Sequence, residues 1–204
     1  GRKAAPFVIR AVRDGKPFEL RARAVLDSTG TWSHPNPLGA NGLPAIGEGE
    51  AAGQIFYGIP DVLGALRSRY EGKKTLVVGA GHSAANALLA LADLARQSAS
   101  TRLVWSVRSP VLNRVFGAQT DALPARGQLG ASLRRLRDTG ALEFVAGLRI
   151  SEIRQKAGKV FVGGTNAKGE AIVIDDVDQI ICATGQRPNL GMTSELRLKL
   201  DPWL

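Results

Sequence analysis

The order of apolar and polar positions divides the chain into segments of different period. Residues 7–12 (FVIRAV) and 18–26 (FELRARAVL) space their apolar side chains as half-buried strands do. They flank RDGKP, in which Asp14-Gly15 suits a tight hairpin turn. A Gly- and Pro-rich stretch follows, DSTGTWSHPNPLGANGLPAIGEGEAAG, that carries neither period. It predicts irregular linker across 31–60, the part of the chain a protease would reach first. DVLGALRSRYEG predicts a short helix. From residue 74 the pattern sharpens: KTLVVG is a compact β-branched run, HSAANALLALADLARQ repeats Ala and Leu at helical spacing, and TRLVWSVR is a second apolar run. Together they predict a β-α-β unit of the length a parallel crossover needs. GASLRRLRDTG predicts a helix closed by Gly140, and ALEFVAG a third strand. Turns at KAGK and AKGE then cut the chain into a three-stranded meander that leads into a buried strand, QIICATG.

Two of these runs end alike, AVLDSTG at 24–30 and IICATG at 180–185. The opening hairpin with its Thr-Gly ending parallels the later meander with its own. The first residues therefore read as the end of a second unit of the same kind, whose glycine loop is expected before residue 1; the absence of an initiating Met agrees with a truncated chain. The fold class predicted is α/β, a Rossmann-like parallel sheet with a β-meander, flanked by partial segments of a second nucleotide domain.

The chemistry gathers in VVGAGHSAAN, where Gly79-x-Gly81-x-x-Ala84 follows a strand and opens a helix. In that setting Gly79 permits the tight turn and Gly81 lets backbone amides approach a pyrophosphate, which the free N–H groups of the helix N-terminus favour. Ala84 allows close helix–strand packing, so the loop predicts dinucleotide binding. Ser83 is placed to cap the helix, to bond a phosphate oxygen, or both. His82 reads as a solvent-facing or ligand-packing side chain, with no carboxylate near it in sequence to orient it as a base. In NAD sites an acid near the end of the second strand bonds the ribose 2′-hydroxyl, whereas an arginine there accommodates the 2′-phosphate of NADP. No Asp or Glu occurs from 94 to 120, while Arg108 and Ser109 stand where the acid would be and Arg114 follows within reach. These residues predict NADPH rather than NADH.

Composition narrows the alternatives. The net charge is +9, but the basic residues are spread along the chain and aromatics make up only 5%, which argues against a nucleic-acid surface built on stacking platforms. The densest arginine segment, 102–137, lies just downstream of the glycine loop. No apolar run approaches the length of a membrane span and no signal-peptide pattern opens the chain, so a cytoplasmic protein without membrane attachment is expected. Cys182 is the single cysteine. Inside QIICATG it reads as a buried strand thiol, and it excludes an intramolecular disulfide or a cysteine metal cluster.

Taken in order, the glycine loop, the meander and the two Thr-Gly endings resemble the two-dinucleotide flavoproteins: the NADPH domain, with flanking pieces of the FAD domain, of a flavin-containing monooxygenase or pyridine-nucleotide oxidoreductase. The family's GxGxSA loop is matched at Gly79, Gly81, Ser83 and Ala84, and its Ala-Thr-Gly ending at Ala183-Thr184-Gly185 and, more loosely, at Ser28-Thr29-Gly30. The match departs in two places. The chain has no Cys-x-x-Cys pair, and Val62 stands where the oxygenating branch's Phe-x-Gly-x-x-x-His element, begun here by Phe56 and Gly58, has its histidine; Tyr70 sits where that branch often has an aromatic residue. The resemblance implies an FAD-type segment at 1–45, a linker at 46–72, an NAD(P)H-binding domain at 73–187 and a return segment at 188–204. It implies NADPH and FAD as cofactors, with Thr184, Gly185, Thr29 and Gly30 among the cofactor-binding residues. Hydride would pass from NADPH to a flavin held mainly by sequence outside the chain, which alone would be inactive. No residue in view is a catalytic acid, base or nucleophile; positioning is the expected task. The alternatives are a nucleotide-sensing regulatory module without turnover and, less favoured, a nicotinamide dehydrogenase acting without flavin.

Overall fold

The computed structural model describes residues 4–110 and 124–199. The chain forms two compact units, one spanning Ser33–Arg187 and one combining the residues up to Trp32 with those from Pro188 onward. In the smaller unit, β1 (Phe7–Arg13) and β2 (Lys16–Ala22) pair antiparallel with Arg13 opposite Lys16. Asp14 and Gly15, at φ 51 and 74, supply the two left-handed residues of a type I′ turn. The strand expected to continue to residue 26 and through AVLDSTG does not form: β2 ends at Ala22, and 24–30 pair with no strand among the described residues. Extended backbone needs partners for its N–H and C=O groups. Among the described residues no neighbouring strand supplies them, and Leu26 is 96% exposed.

The larger unit contains β3 (Ile55–Tyr57), β4 (Lys74–Val78), β5 (Arg102–Val107), β6 (Glu143–Ala146), the meander β7 (Arg149–Lys156), β8 (Lys159–Thr165) and β9 (Ala171–Val177), and β10 (Gln179–Cys182). Its helices are α1 (Arg67–Tyr70), α2 (His82–Gln97) and α3 (Pro124–Asp138). Five strands make one sheet in the order β3-β10-β4-β5-β6, every pairing parallel; β7, β8 and β9 make a separate antiparallel sheet.

The parallel strands are apolar on both sides because both faces are covered. Val77, Leu103, Trp105 and Ile181 pack with Leu88, Leu91 and Leu94 of α2 and Leu133 of α3. Leu76, Val78, Val104 and Ile180 point the other way, toward Ile150 and Ile153 of β7, Val160 and Val162 of β8, and Val177 of β9. Alternate residues of each short strand thus feed two cores, one under the helices and one under the meander.

From Ser33 onward, the Gly- and Pro-rich stretch predicted as linker belongs to this unit. β3 lies at the edge of the parallel sheet, and Leu38, Ala45 and Ala51 are buried in the meander-side core. The physical reason is a bulge in β7 between Ile150 and Glu152, which releases backbone groups that the loop takes up. Ala40 N donates to Ile150 O (2.9 Å), Ile46 N to Ser151 O (2.9 Å) and Ile153 N to Ile46 O (2.7 Å). Gly47 passes so close that a Cβ there would stand 2.0 Å from Ile153 O. The segment lacks a regular period, yet its backbone is hydrogen-bonded to β7 at Ala40 and Ile46.

Candidate functional site

The strand order reverses at β4: the chain proceeds to β5 and β6 on one side, while β10 and β3 lie on the other. In open parallel sheets the crevice beyond the carboxyl ends of the strands at such a switch point is where ligands bind. Gly79 follows β4 at this point. Its φ of +138 is left-handed, and a Cβ would lie 2.3 Å from Ala183 O, just past β10, so neither conformation nor space admits a side chain. Its peptide is held from β5, with Gly79 N donating to Ser106 O (3.1 Å) and the buried Trp105 indole Nε1 donating to Gly79 O (2.8 Å). Gly81 is different. It is the N-cap of α2, no side chain caps the helix, and a Cβ on Gly81 would meet nothing within 4 Å. Protein packing therefore does not demand that glycine; open space over free helix N–H groups does suit an anion that must approach the backbone.

Beside the loop lies a cleft of about 440 Å³ lined by Gly79, Arg108, Ser109, Thr184, Arg187 and the loop from Asn36 to Gly42. Among the described residues lining it there is no Asp or Glu. Arg108, just past β5, donates from Nη1 to Ala40 O (3.0 Å), and Arg187, past β10, donates from Nη2 to Gly42 O (3.1 Å). Both guanidiniums are solvent-exposed, and neither has a carboxylate partner among the described residues. A cleft lined by a glycine turn and two arginines that have no carboxylate partner among the described residues fits a polyanionic ligand.

The Thr-Gly ending of β10 is stitched to the loop. Asn36 N donates to Gly185 O (2.9 Å), Asn36 Nδ2 to Thr184 O (3.0 Å) and Thr184 Oγ1 to Asn36 O (3.2 Å). Cys182 is buried, with its thiol donating to Asn36 O (3.4 Å) and 3.2 Å from Thr184 Oγ1. Burial pushes that thiol up to about 11; hydrogen bonds from Thr184 oppose the shift and the charge of Glu48 adds to it. It is a neutral, packed group.

Of the residues singled out in the sequence, Gly79, Arg108, Ser109 and Thr184 line this one cleft. Gly81 and His82 are exposed at the start of α2, Ser83 is half-buried and Ala84 is buried against the sheet. Ser83 does not cap the helix, since the N-cap is Gly81. Gly185 adjoins Thr184 at φ +91. Thr29 and Gly30 lie in the other unit, both exposed, with Thr29 N and Oγ1 donating to Asp27 Oδ1 at 3.0 and 2.7 Å. Arg114 lies outside the described residues.

Three features escaped the sequence. Arg187 stands two residues past the second Thr-Gly, a position that could have flagged it. The Asn36–Gly42 wall was hidden in a stretch without period. Glu48 gave no signal, yet it is 3% exposed and accepts from Leu38 N (2.9 and 3.1 Å), Ala45 N (2.7 Å) and Tyr57 OH (2.6 Å). Burial, then the hydrogen bond to Glu48 and its charge, push the Tyr57 hydroxyl well above its ordinary value.

Neither protein-family models nor curated protein sequences match the chain. Solved structures do. The desferrioxamine-pathway cadaverine monooxygenase DfoA of Erwinia amylovora, determined bound to FAD, superposes with a TM-score of 0.72 at 15% identity, covering 97% of this chain and 54% of that one. The bacillithiol disulfide reductase Bdr of Bacillus cereus gives 0.66 at 19% identity, over 98% and 52% of the two chains. The ornithine N-hydroxylase KtzI of Kutzneria sp. 744, determined with reduced FAD, NADP+ and L-ornithine, gives 0.61 at 19% identity, over 93% and 52%. The chain therefore has the fold of FAD-dependent monooxygenases and thioredoxin-reductase-like pyridine-nucleotide oxidoreductases. It spans little more than half the length of each of these proteins.

Proposed function

We propose that the chain is the NADPH-binding portion of an FAD-dependent oxidoreductase. The observation that carries the reading is the cleft at the switch point, where the glycine turn after β4, Arg108 after β5 and Thr184 after β10 converge with no carboxylate among the described lining residues. NADPH, when bound, supplies a hydride to flavin, and the flavin carries the harder redox chemistry. The chain's own part is to bind and orient. Gly79 shapes the turn, and the free amides at the start of α2 hold the pyrophosphate. Arg108 and Ser109 receive the 2′-phosphate, with Arg114 as a second ligand, and Thr184-Gly185 forms the wall opposite. Monooxygenases and disulfide reductases both occur among the structural neighbours, and with Cys182 as its single cysteine this chain supplies no dithiol relay of its own.

The 2′-phosphate brings nearly two charges to a place where a guanidinium can bond it through paired N–H groups. Charged hydrogen bonds of this kind contribute roughly 1.5–3 kcal/mol. Arg108→Ala is therefore expected to weaken NADPH binding by on the order of ten- to a hundredfold and to leave NADH nearly unchanged. Calorimetric titration of both dinucleotides checks it; equal losses for the two would remove the NADP assignment.

A further inference from the structure

We propose that Glu48 is a positioning residue for dinucleotide selectivity, holding the 38–45 loop so that the carbonyls of Ala40 and Gly42 seat Arg108 and Arg187 at the rim of the cleft. The inference rests on the reading of that cleft as an NADPH site. Glu48 is a carboxylate in the core, and no Lys or Arg is paired with it among the described residues. A charge buried in this way is expensive unless its lone pairs are used. Here they are: every contact is a donor, two from backbone amides and one from the Tyr57 hydroxyl, as suits a group that only accepts. An apolar side chain there would leave the amides of Leu38 and Ala45 and the Tyr57 hydroxyl without their acceptor, so the carboxylate is what holds these three groups together.

What it organises is an arch. Leu38 and Ala45 are the two feet, and Glu48 binds the amides of both. Between them the chain has little freedom: Gly42 N bonds Gly39 O (3.0 Å), and a Cβ on Gly39 would stand 2.1 Å from Leu43 O. Ala40 is fixed from behind by Ile150 O. The carbonyls of Ala40 and Gly42 then meet the two arginines, one from each side of the switch point. A long guanidinium side chain loses much rotamer freedom on binding an anion. One hydrogen bond to a fixed carbonyl restricts it in advance and leaves the rest of its N–H fork for phosphate. Arg108 after β5 serves the 2′-phosphate; Arg187 at the crevice serves the pyrophosphate common to both dinucleotides.

The test uses Glu48→Gln in the full 204-residue chain. The glutamine amide places a donor against one of the donors that the carboxylate accepts. NADPH and NADH are titrated into wild type, E48Q, Arg108→Ala/Arg187→Ala and the triple variant, and hydrogen exchange is followed across 37–46. E48Q is expected to weaken NADPH about tenfold, the scale of one lost charged hydrogen bond, and NADH less. Exchange at Leu38 and Ala45 should quicken, and E48Q should add no further loss once both arginines are gone. Equal losses with and without the arginines, or unchanged NADPH affinity, would overturn the proposal. A wild-type chain that binds neither dinucleotide overturns the reading of the cleft and this inference with it; wild-type binding that E48Q leaves untouched overturns the inference alone. If E48Q fails to fold, Tyr57→Phe removes one donor and no backbone contact. A smaller loss selective for NADPH then supports the proposal, and no loss refutes it.

Discussion

A methyl group at position 79 would press on the Ala183 carbonyl and force a side chain into a φ of +138. The backbone conformation alone costs a non-glycine residue about 1–3 kcal/mol, before the clash is counted. Gly79→Ala is therefore expected to lower the melting temperature and to abolish dinucleotide binding together, because the displaced groups join β4 to β10 at the cleft. Gly81→Ala should leave stability nearly unchanged and reduce binding selectively, since its Cβ meets open space. Thermal melts beside NADPH titrations separate the two; a stable Gly79→Ala that binds normally would contradict the account of this turn. The two glycines of one motif thus have different physical reasons.

At the scale of elements, the segments ending in Thr-Gly show how little a short apolar run decides by itself. QIIC becomes β10 because β3 and β4 flank it on both sides, whereas AVLDSTG pairs with no strand among the described residues and is irregular. The start of β10 is tied down at the end of the sheet away from the cleft. Asp178 accepts from Lys74 N (2.9 Å) at the head of β4 and from Lys159 Nζ (2.6 Å) at the head of β8. Burial raises its carboxyl, but the hydrogen bonds from Lys159 and Lys74, with the charges of Lys159 and Lys73, outweigh that and hold it below the ordinary 3.8. A depressed carboxyl contributes stability that is fully present above 3.8 and is lost as pH falls through the lowered folded value. Asp178→Asn should accordingly destabilise the chain at neutral pH, with the gap to wild type closing as pH drops below that range. Melting curves across pH check this, and a gap independent of pH would show that the charge is not what matters. NADPH affinity should stay unchanged.

For the whole molecule, the larger unit runs from Ser33 to Arg187, and its loop from 33 to 60 is hydrogen-bonded into the meander and the parallel sheet. Limited proteolysis is expected to cut within 23–32, where no strand ladder protects the backbone, before it cuts within 38–60. Mapping the first products by mass checks this ordering; early cleavage inside 38–60 would mean that the bonds to β7 do not hold the arch. Among the described residues no helix is long and apolar enough to cross a membrane, and no group of His, Cys, Asp or Glu is arranged to hold a metal ion.

The sequence by itself determined what depends on near neighbours. Periods of two and 3.6 placed β4, α2, β5 and the meander, and Asp14-Gly15 set its turn through local backbone preference. The order strand, glycine loop, helix located Gly79, Gly81 and Ala84, and the absence of acids after β5 pointed to Arg108 and Ser109. Only the tertiary structure decided the rest. Asn36 meets Thr184, and Ala40 meets both Arg108 and Ile150, across long stretches of chain that no window of periodicity spans. Glu48 gives no signal in the sequence; its burial depends on where Leu38, Ala45 and Tyr57 come to lie. Conversely, AVLDSTG has the composition of a strand and does not become one, because a strand exists only where another chain segment takes up its hydrogen bonds.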